Sequence, residues 1–137
     1  MIYVDTNIIL DVLDRDANWS GWSAEQLKAC RAAGSLVSGY VVAAELATQA
    51  HSSEELSSIF ETAEIKLIEL NLESAHLAGN AFREYKRRGG ERQSLLADFL
   101  IGAHALALGA TMLSRDSRSY RSYFPSLPLI TPEAENG

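Results

Sequence analysis

Four acids in this chain stand where an acid needs a reason: Asp5, Glu45, Asp98 and Asp116. Asp5 follows the apolar run Ile2-Tyr3-Val4 and precedes Thr6, Asn7 and the helical pattern Ile8, Ile9, Leu10, Val12, Leu13. Asp116 follows a second strand-like run, Thr111-Met112-Leu113-Ser114. Glu45 and Asp98 each interrupt an apolar helical stretch, and neither has a Lys or Arg one helical turn away. A carboxylate buried without a partner costs several kcal/mol or gives up its charge. Each acid taken alone has a plain explanation: Asp5 and Asp98 suit helix starts, Asp116 suits a turn, and Glu45 could meet a distant Arg. Four such accidents in one chain explain less than one shared site does.

If the four converge, their repulsion must be offset. Two like charges about 4 Å apart repel by about 4 kcal/mol at an effective dielectric near 20. A hard divalent cation held by carboxylate oxygens and waters is the economical solution. With no His or Cys beside these acids, Mg²⁺ or Mn²⁺ suits them better than zinc. Such an ion lowers the pKa of a bound water and steadies charge developing on a phosphoryl group. Thr6, Asn7 and Ser114 would orient ligands and water from behind. The histidines His51, His76 and His104 add nothing, His104 lying six residues beyond Asp98 and off its helix face.

The elements that must position these acids alternate along the chain. Strands are expected at Ile2–Val4, Leu36–Ser38, Ile65–Leu70, Thr111–Ser114 and Leu127–Ile130, the last at an edge because Pro128 cannot donate to a ladder. Between them, helices are expected over Thr6–Asp14, Ser23–Ala33 with a Ser23/Gln26 capping box, Tyr40–Ala47, from Ser52 or Ser53, Leu72–Arg88, and Ser94–Leu108. Strand and helix in alternation imply an α/β fold, a parallel sheet covered on both faces. In open sheets of this kind ligands gather outside the carboxyl ends of the strands, where Asp5 and Asp116 stand. Trp19 and Trp22 read as a hydrophobic clasp at a helix entrance rather than a stacking platform for bases.

The 137 residues suit one domain spanning 1–137, and 47% apolar with 22% charged residues is ordinary for a globular chain. The lone Cys30 excludes an internal disulfide framework and suits a reducing, cytoplasmic setting. No apolar run reaches membrane-spanning length, and the N-terminal apolar run stops at Asp5, unlike a secretory signal. The net charge of −6 hides an asymmetry: residues 1–82 carry −8, residues 83–121 carry +4 and the tail −2. A basic band in an acidic protein could track a phosphate backbone, or it could be only a solvated helix face.

The ordered set Asp5-Thr6-Asn7, Glu45, Ala97-Asp98 and Ser114-Arg115-Asp116 resembles the PIN domain, and within it the VapC toxins of bacterial type II toxin–antitoxin pairs. The resemblance covers essentially the whole chain. It implies a three-layer α/β/α domain around a central parallel sheet of four to five strands, and Mg²⁺- or Mn²⁺-dependent cleavage of RNA. Asp5, Asp98 and Asp116 would then be metal ligands, with Glu45 acting through a water, and Thr6, Asn7 and Ser114 in support. It also implies a homodimer held inactive by a cognate VapB-like antitoxin. The basic residues Arg83, Lys86, Arg87, Arg88, Arg92, Arg115, Arg118 and Arg121 would face the RNA, an inference from charge rather than from any motif. The chain departs from the pattern where many members carry a further acid, since Ser117, Arg118 and Ser119 stand there. That departure motivates the alternative of a catalytically weak PIN-like domain with an RNA- or protein-binding regulatory role. A phospho-acceptor domain, which also places Asp at strand ends, would want a late Lys, and none follows Lys86.

Overall fold

The computed structural model describes residues 1–15, 18–90 and 96–132. Strands β1 (Ile2–Val4), β2 (Leu36–Gly39), β3 (Ile65–Ile68), β4 (Thr111–Leu113) and β5 (Leu129–Ile130) form one sheet in the order β3-β2-β1-β4-β5. Every pairing is parallel. Seven α-helices flank the sheet: α1 (Thr6–Leu13), α2 (Ser20–Ala33), α3 (Tyr40–Leu46), α4 (Ser53–Thr62), α5 (Leu72–Arg87), α6 (Leu96–Ala107) and α7 (Ser117–Tyr123). This is the three-layer α/β/α architecture expected from the sequence. Among the described residues no helix is long and apolar enough to cross a membrane.

The strand order explains where a site can form. The chain steps from β1 to β2 to β3 in one direction, then returns past β1 to β4. Right-handed crossovers therefore place α1 to α4 on one face and α5 and α6 on the other. The direction reverses between β1 and β4, and the carboxyl ends of these two strands open a crevice there. The central strand buries Tyr3 and Val4 completely, both at 0% exposure, and Ile2 in part. The most apolar helix, α6, buries Phe99, Ile101, Ala103 and Ala105, as expected for a helix packed on nearly all sides.

Three expectations need correction. Helix α2 begins at Ser20, three residues before Ser23, and Trp19 precedes it without a side-chain cap. Ser23 is buried inside the helix and donates its hydroxyl to Asp11 (2.7 Å), so a distant acid has taken the side chain a capping box would use. The segment after β4, in which the sequence shows no helical period, forms α7; Asp116 caps it by accepting from the Ser119 N–H (3.1 Å). β3 stops at Ile68 rather than Leu70. The expected starts of α6 at Ser94 and Leu95 lie outside the described residues. β5 is an edge strand as expected, and the Pro128 carbonyl accepts from Met112 N–H (2.8 Å).

His104, off the Asp98 face as its spacing indicates, is a core residue. It is 2% exposed, and its Nδ1 pairs with the Tyr3 phenol (2.8 Å) across the β1–α6 interface. Burial pulls its pKa down, against a smaller opposing effect of the Glu69 backbone, so the ring is neutral. Gly39 closes this node. A Cβ there would overlap the Tyr3 hydroxyl and approach His104 Nδ1 to 2.7 Å. Gly39→Ala is therefore expected to lower stability by about 1–3 kcal/mol through overpacking, read as a shift in the urea midpoint. An unchanged midpoint would show that the node has slack.

Candidate active site

Asp5 is the last residue before α1 and the deepest of the four acids, at 5% exposure. Its Oδ1 accepts from Thr6 N–H (2.8 Å) and its Oδ2 accepts from the Ser114 hydroxyl (2.7 Å). The Tyr120 phenol is a further donor to the same carboxylate. These bonds favour the charged form, but burial outweighs them and the Glu45 charge adds to burial, so the Asp5 pKa is pushed up to about 6. Asp98, in the first turn of α6, is half-buried and also raised, by burial first and then by Glu45 and Asp116. The charges that act on Asp5 and Asp98 are thus those of other acids.

Ser114 links the parts. Its single hydroxyl hydrogen goes to Asp5, while its lone pairs accept from Asp116 N–H (2.9 Å) and Asn7 Nδ2 (3.2 Å). Every capacity of that hydroxyl is used. Asn7 turns its carbonyl the other way and accepts from Arg115 N–H (3.1 Å). Thr6 donates its hydroxyl to the Glu45 carboxylate, which brings α3 up to the end of β1. The expected supporting residues Thr6, Asn7 and Ser114 therefore all bear on the acids. Tyr120 was missed. It lies one helical turn after Asp116, and a helix begun at that cap returns it to the same face.

All four acids lie at the carboxyl edge of the sheet, in one electrostatic neighbourhood. Asp116 is the exposed member. Among the described residues no three His, Cys, Asp or Glu side chains are drawn around one point closely enough to ligate an ion. The donor set is nonetheless all oxygen, which fits a hard divalent cation such as Mg²⁺ or Mn²⁺ rather than zinc.

The basic residues divide into two groups. Arg83, Lys86, Arg87 and Arg88 are exposed towards the end of α5, and Arg118 and Arg121 are exposed on α7, which starts at Asp116. The Arg88 guanidinium reaches the Ser122 carbonyl (3.5 Å), so the two helices present adjoining parts of one rim. Arg87 also meets Glu84 (3.2 Å), an exposed pair of small energetic weight. Arg92 lies outside the described residues. Arg115 is placed differently: its Nε and Nη2 donate to both oxygens of Asp11 (2.7 and 3.0 Å), and its guanidinium lies 5.5 Å from the Trp19 ring centroid. The expectation that Arg115 faces RNA meets a guanidinium already committed to a buried acid. Trp19 and Trp22 do clasp edge-to-face at the entrance to α2 (6.0 Å).

Away from the acids, an apolar groove of about 430 Å³ runs between α1, α2 and α4. Ile9, Val12, Leu13, Leu27 and Ile59 line it, with Arg31 and Glu55 at its margin.

The sequence model of the PIN domain family matches residues 2–125. Comparison with curated protein sequences gives no match. Among solved structures, VapBC2 from Rickettsia felis bound to a promoter DNA fragment matches with a TM-score of 0.72 at 20% identity, covering 96% of this chain and 98% of that one. VapBC-1 from nontypeable Haemophilus influenzae matches with 0.69 at 22%, covering 96% and 98%. VapC20 of Mycobacterium tuberculosis, a sarcin–ricin loop cleaving toxin, matches with 0.64 at 16%, covering 96% and 100%. At these identities the likeness is one of fold.

Asp5 sets a pH dependence. Because its folded pKa of about 6 exceeds the ordinary 3.8, the folded state binds more protons than the unfolded state between those values. Its contribution to stability is full below that window and is lost as pH rises through 6. In chelator, the stability difference between Asp5→Asn and wild type should move towards the variant by about 2 kcal/mol from pH 4 to pH 7, measured by urea unfolding. A pH-independent difference would show that Asp5 ionises freely.

Proposed function

The chain belongs to the PIN domain family, and from that premise we propose that it is a Mg²⁺- or Mn²⁺-dependent endoribonuclease, the cytoplasmic toxin of a type II toxin–antitoxin pair. The observation that carries this reading is the group of carboxylates itself: a buried Asp5 held by hydrogen-bond donors and repelled by Glu45, beside an Asp98 raised by burial and further by Glu45 and Asp116. A protein accepts such repulsion where an ion or a developing charge will use it.

Asp5, Asp98 and Asp116 would hold the ion, with Glu45 acting through a water. A bound Mg²⁺ or Mn²⁺ supplies a water of lowered pKa and offsets negative charge on the scissile phosphoryl group. The chain's own residues set the geometry. Ser114 and Tyr120 fix the Asp5 carboxylate, Thr6 fixes Glu45, and the α7 cap fixes Asp116 at the mouth of the crevice. Arg83, Lys86, Arg87, Arg88, Arg118 and Arg121 would contact the RNA backbone along the α5–α7 rim, a sequence-independent and salt-sensitive interaction.

The partner would be a VapB-like antitoxin, as in the complexes this fold matches. An amphipathic segment of it suits the apolar groove between α1, α2 and α4, where Leu13 is 45% exposed. Ile59→Asp should then weaken antitoxin capture by about tenfold or more while leaving RNA cleavage intact. Undiminished capture would place the antitoxin elsewhere.

The decisive test is cleavage of total cellular RNA by purified protein with Mg²⁺, with Mn²⁺ and with EDTA. Discrete metal-dependent cuts are expected, reduced by at least about 100-fold in Asp5→Asn and in Asp98→Asn with the fold retained. Cleavage surviving in either folded variant would overturn the mechanism. RNA binding without any cleavage by wild type would favour a regulatory PIN-like domain, which the Ser117-Arg118-Ser119 departure also motivates.

A further inference from the structure

Arg115 stands between Ser114, which holds Asp5, and Asp116, itself one of the four acids. An Arg side chain anchored there has the length to reach the carboxylates, and guanidinium–carboxylate pairing is the strongest contact such a side chain can make. The structure shows it turned the other way. Both Asp11 oxygens accept from it, Ser23 adds a donor to the same carboxylate, and the Trp19 ring lies alongside. Asp11 is 5% exposed at its side chain and Arg115 30%, so this is a sheltered, two-point pair and not a loose surface contact. The Arg115 N–H is meanwhile tied to Asn7, which keeps the backbone of the loop in register with β1 whatever the side chain does.

We infer that Asp11 is a positioning residue whose task is to withhold the Arg115 guanidinium from the carboxylate cluster, so that the cluster stays open to a cation. The inference rests on the metal-binding reading of those acids. Asp11 sits on α1, two turns from Asp5, and α1 packs on α2, which supplies Ser23. Together they form a receptor for one cation on the far side of the loop. Without that receptor the Arg115 guanidinium would lose its partner, and the loop it grows from runs between Ser114, bonded to Asp5, and Asp116, so those acids are anions to which it could turn. An intramolecular guanidinium would then occupy them in place of the metal, at the high effective concentration of a tethered group.

The test uses the RNA-free protein and Mn²⁺ alone, with binding followed by calorimetry and folding by circular dichroism. Asp11→Ala is expected to weaken Mn²⁺ binding by about tenfold or more. Arg115→Ala should bind as wild type does, and the double variant Asp11→Ala/Arg115→Ala should recover wild-type binding. Recovery separates the inference from simple structural damage, which a second truncation would not repair. Should Asp11→Ala fail to fold, Asp11→Asn, which keeps the side-chain volume and loses the charge, should weaken binding in the same direction and be rescued by the same partner change. Wild-type-like binding in the folded Asp11 variants, or a double variant as weak as the single one, would overturn the inference. Absence of Mn²⁺ binding by wild type would instead overturn the metal reading and this inference with it.

Discussion

The burial of carboxylate charge at the carboxyl edge of the sheet, with repulsion among the acids added to it, is the constraint on which the rest of the molecule depends. Keeping the buried Asp5 ionised at neutral pH costs about 3 kcal/mol relative to the unfolded chain, given its rise from 3.8 to about 6. That is a sizeable fraction of the 5–15 kcal/mol by which domains are ordinarily stable. The surrounding structure must be firm enough to bear it. The buried Tyr3 and Val4 of β1, the close approach of Gly39 to Tyr3 and His104, and the saturated Ser114 hydroxyl all serve to hold that edge of the sheet in place.

The basic residues of α5, α7 and the loop between β4 and α7 are disposed in two ways. Those towards the end of α5 and on α7 are exposed. The one that grows from the loop between Ser114 and Asp116 is held by a carboxylate on the opposite side. Acidic groups thus collect at the crevice, while the exposed basic groups lie on the helices beside it. Nothing in the chain order alone enforces that separation, and side-chain pairing has to supply it.

Much of this was legible in the sequence, for identifiable reasons. Alternation of short apolar runs with helical periodicity exposed the parallel sheet, and the acids at strand ends and inside apolar helices marked the crevice, because burial of an unpaired charge is rarely accidental. What escaped were properties of pairing between distant residues. Ser23 looked like a cap because Gln26 follows it, yet Asp11 claims its hydroxyl. Arg115 counted as one more basic residue because charge can be summed without knowing which partner is near. Tyr120 gave no signal until α7 existed, and α7 was hidden in a polar stretch, Ser117-Arg118-Ser119, with too few apolar residues to show a period. His104 was set aside by its spacing from Asp98, although the residue it meets, Tyr3, is 101 positions away.

The place of β1 in the sheet has a consequence for how the molecule comes into being. The first strand made is the central one, and it needs β4 on its other side; the Asp5–Ser114 contact spans 109 residues, whereas Thr6 meets Glu45 after 39. Long loops of this kind close late and slowly. During synthesis, β1, β2 and β3 can associate early, but Asp5 lacks its Ser114 and Tyr120 donors, and Asp98 and Asp116 are not yet present. The acid cluster is therefore completed only after β4 and the start of α7 have emerged. Topology alone thus delays the finished crevice until β4 is in place, leaving an interval in which other surfaces of the newborn chain are already available to be bound.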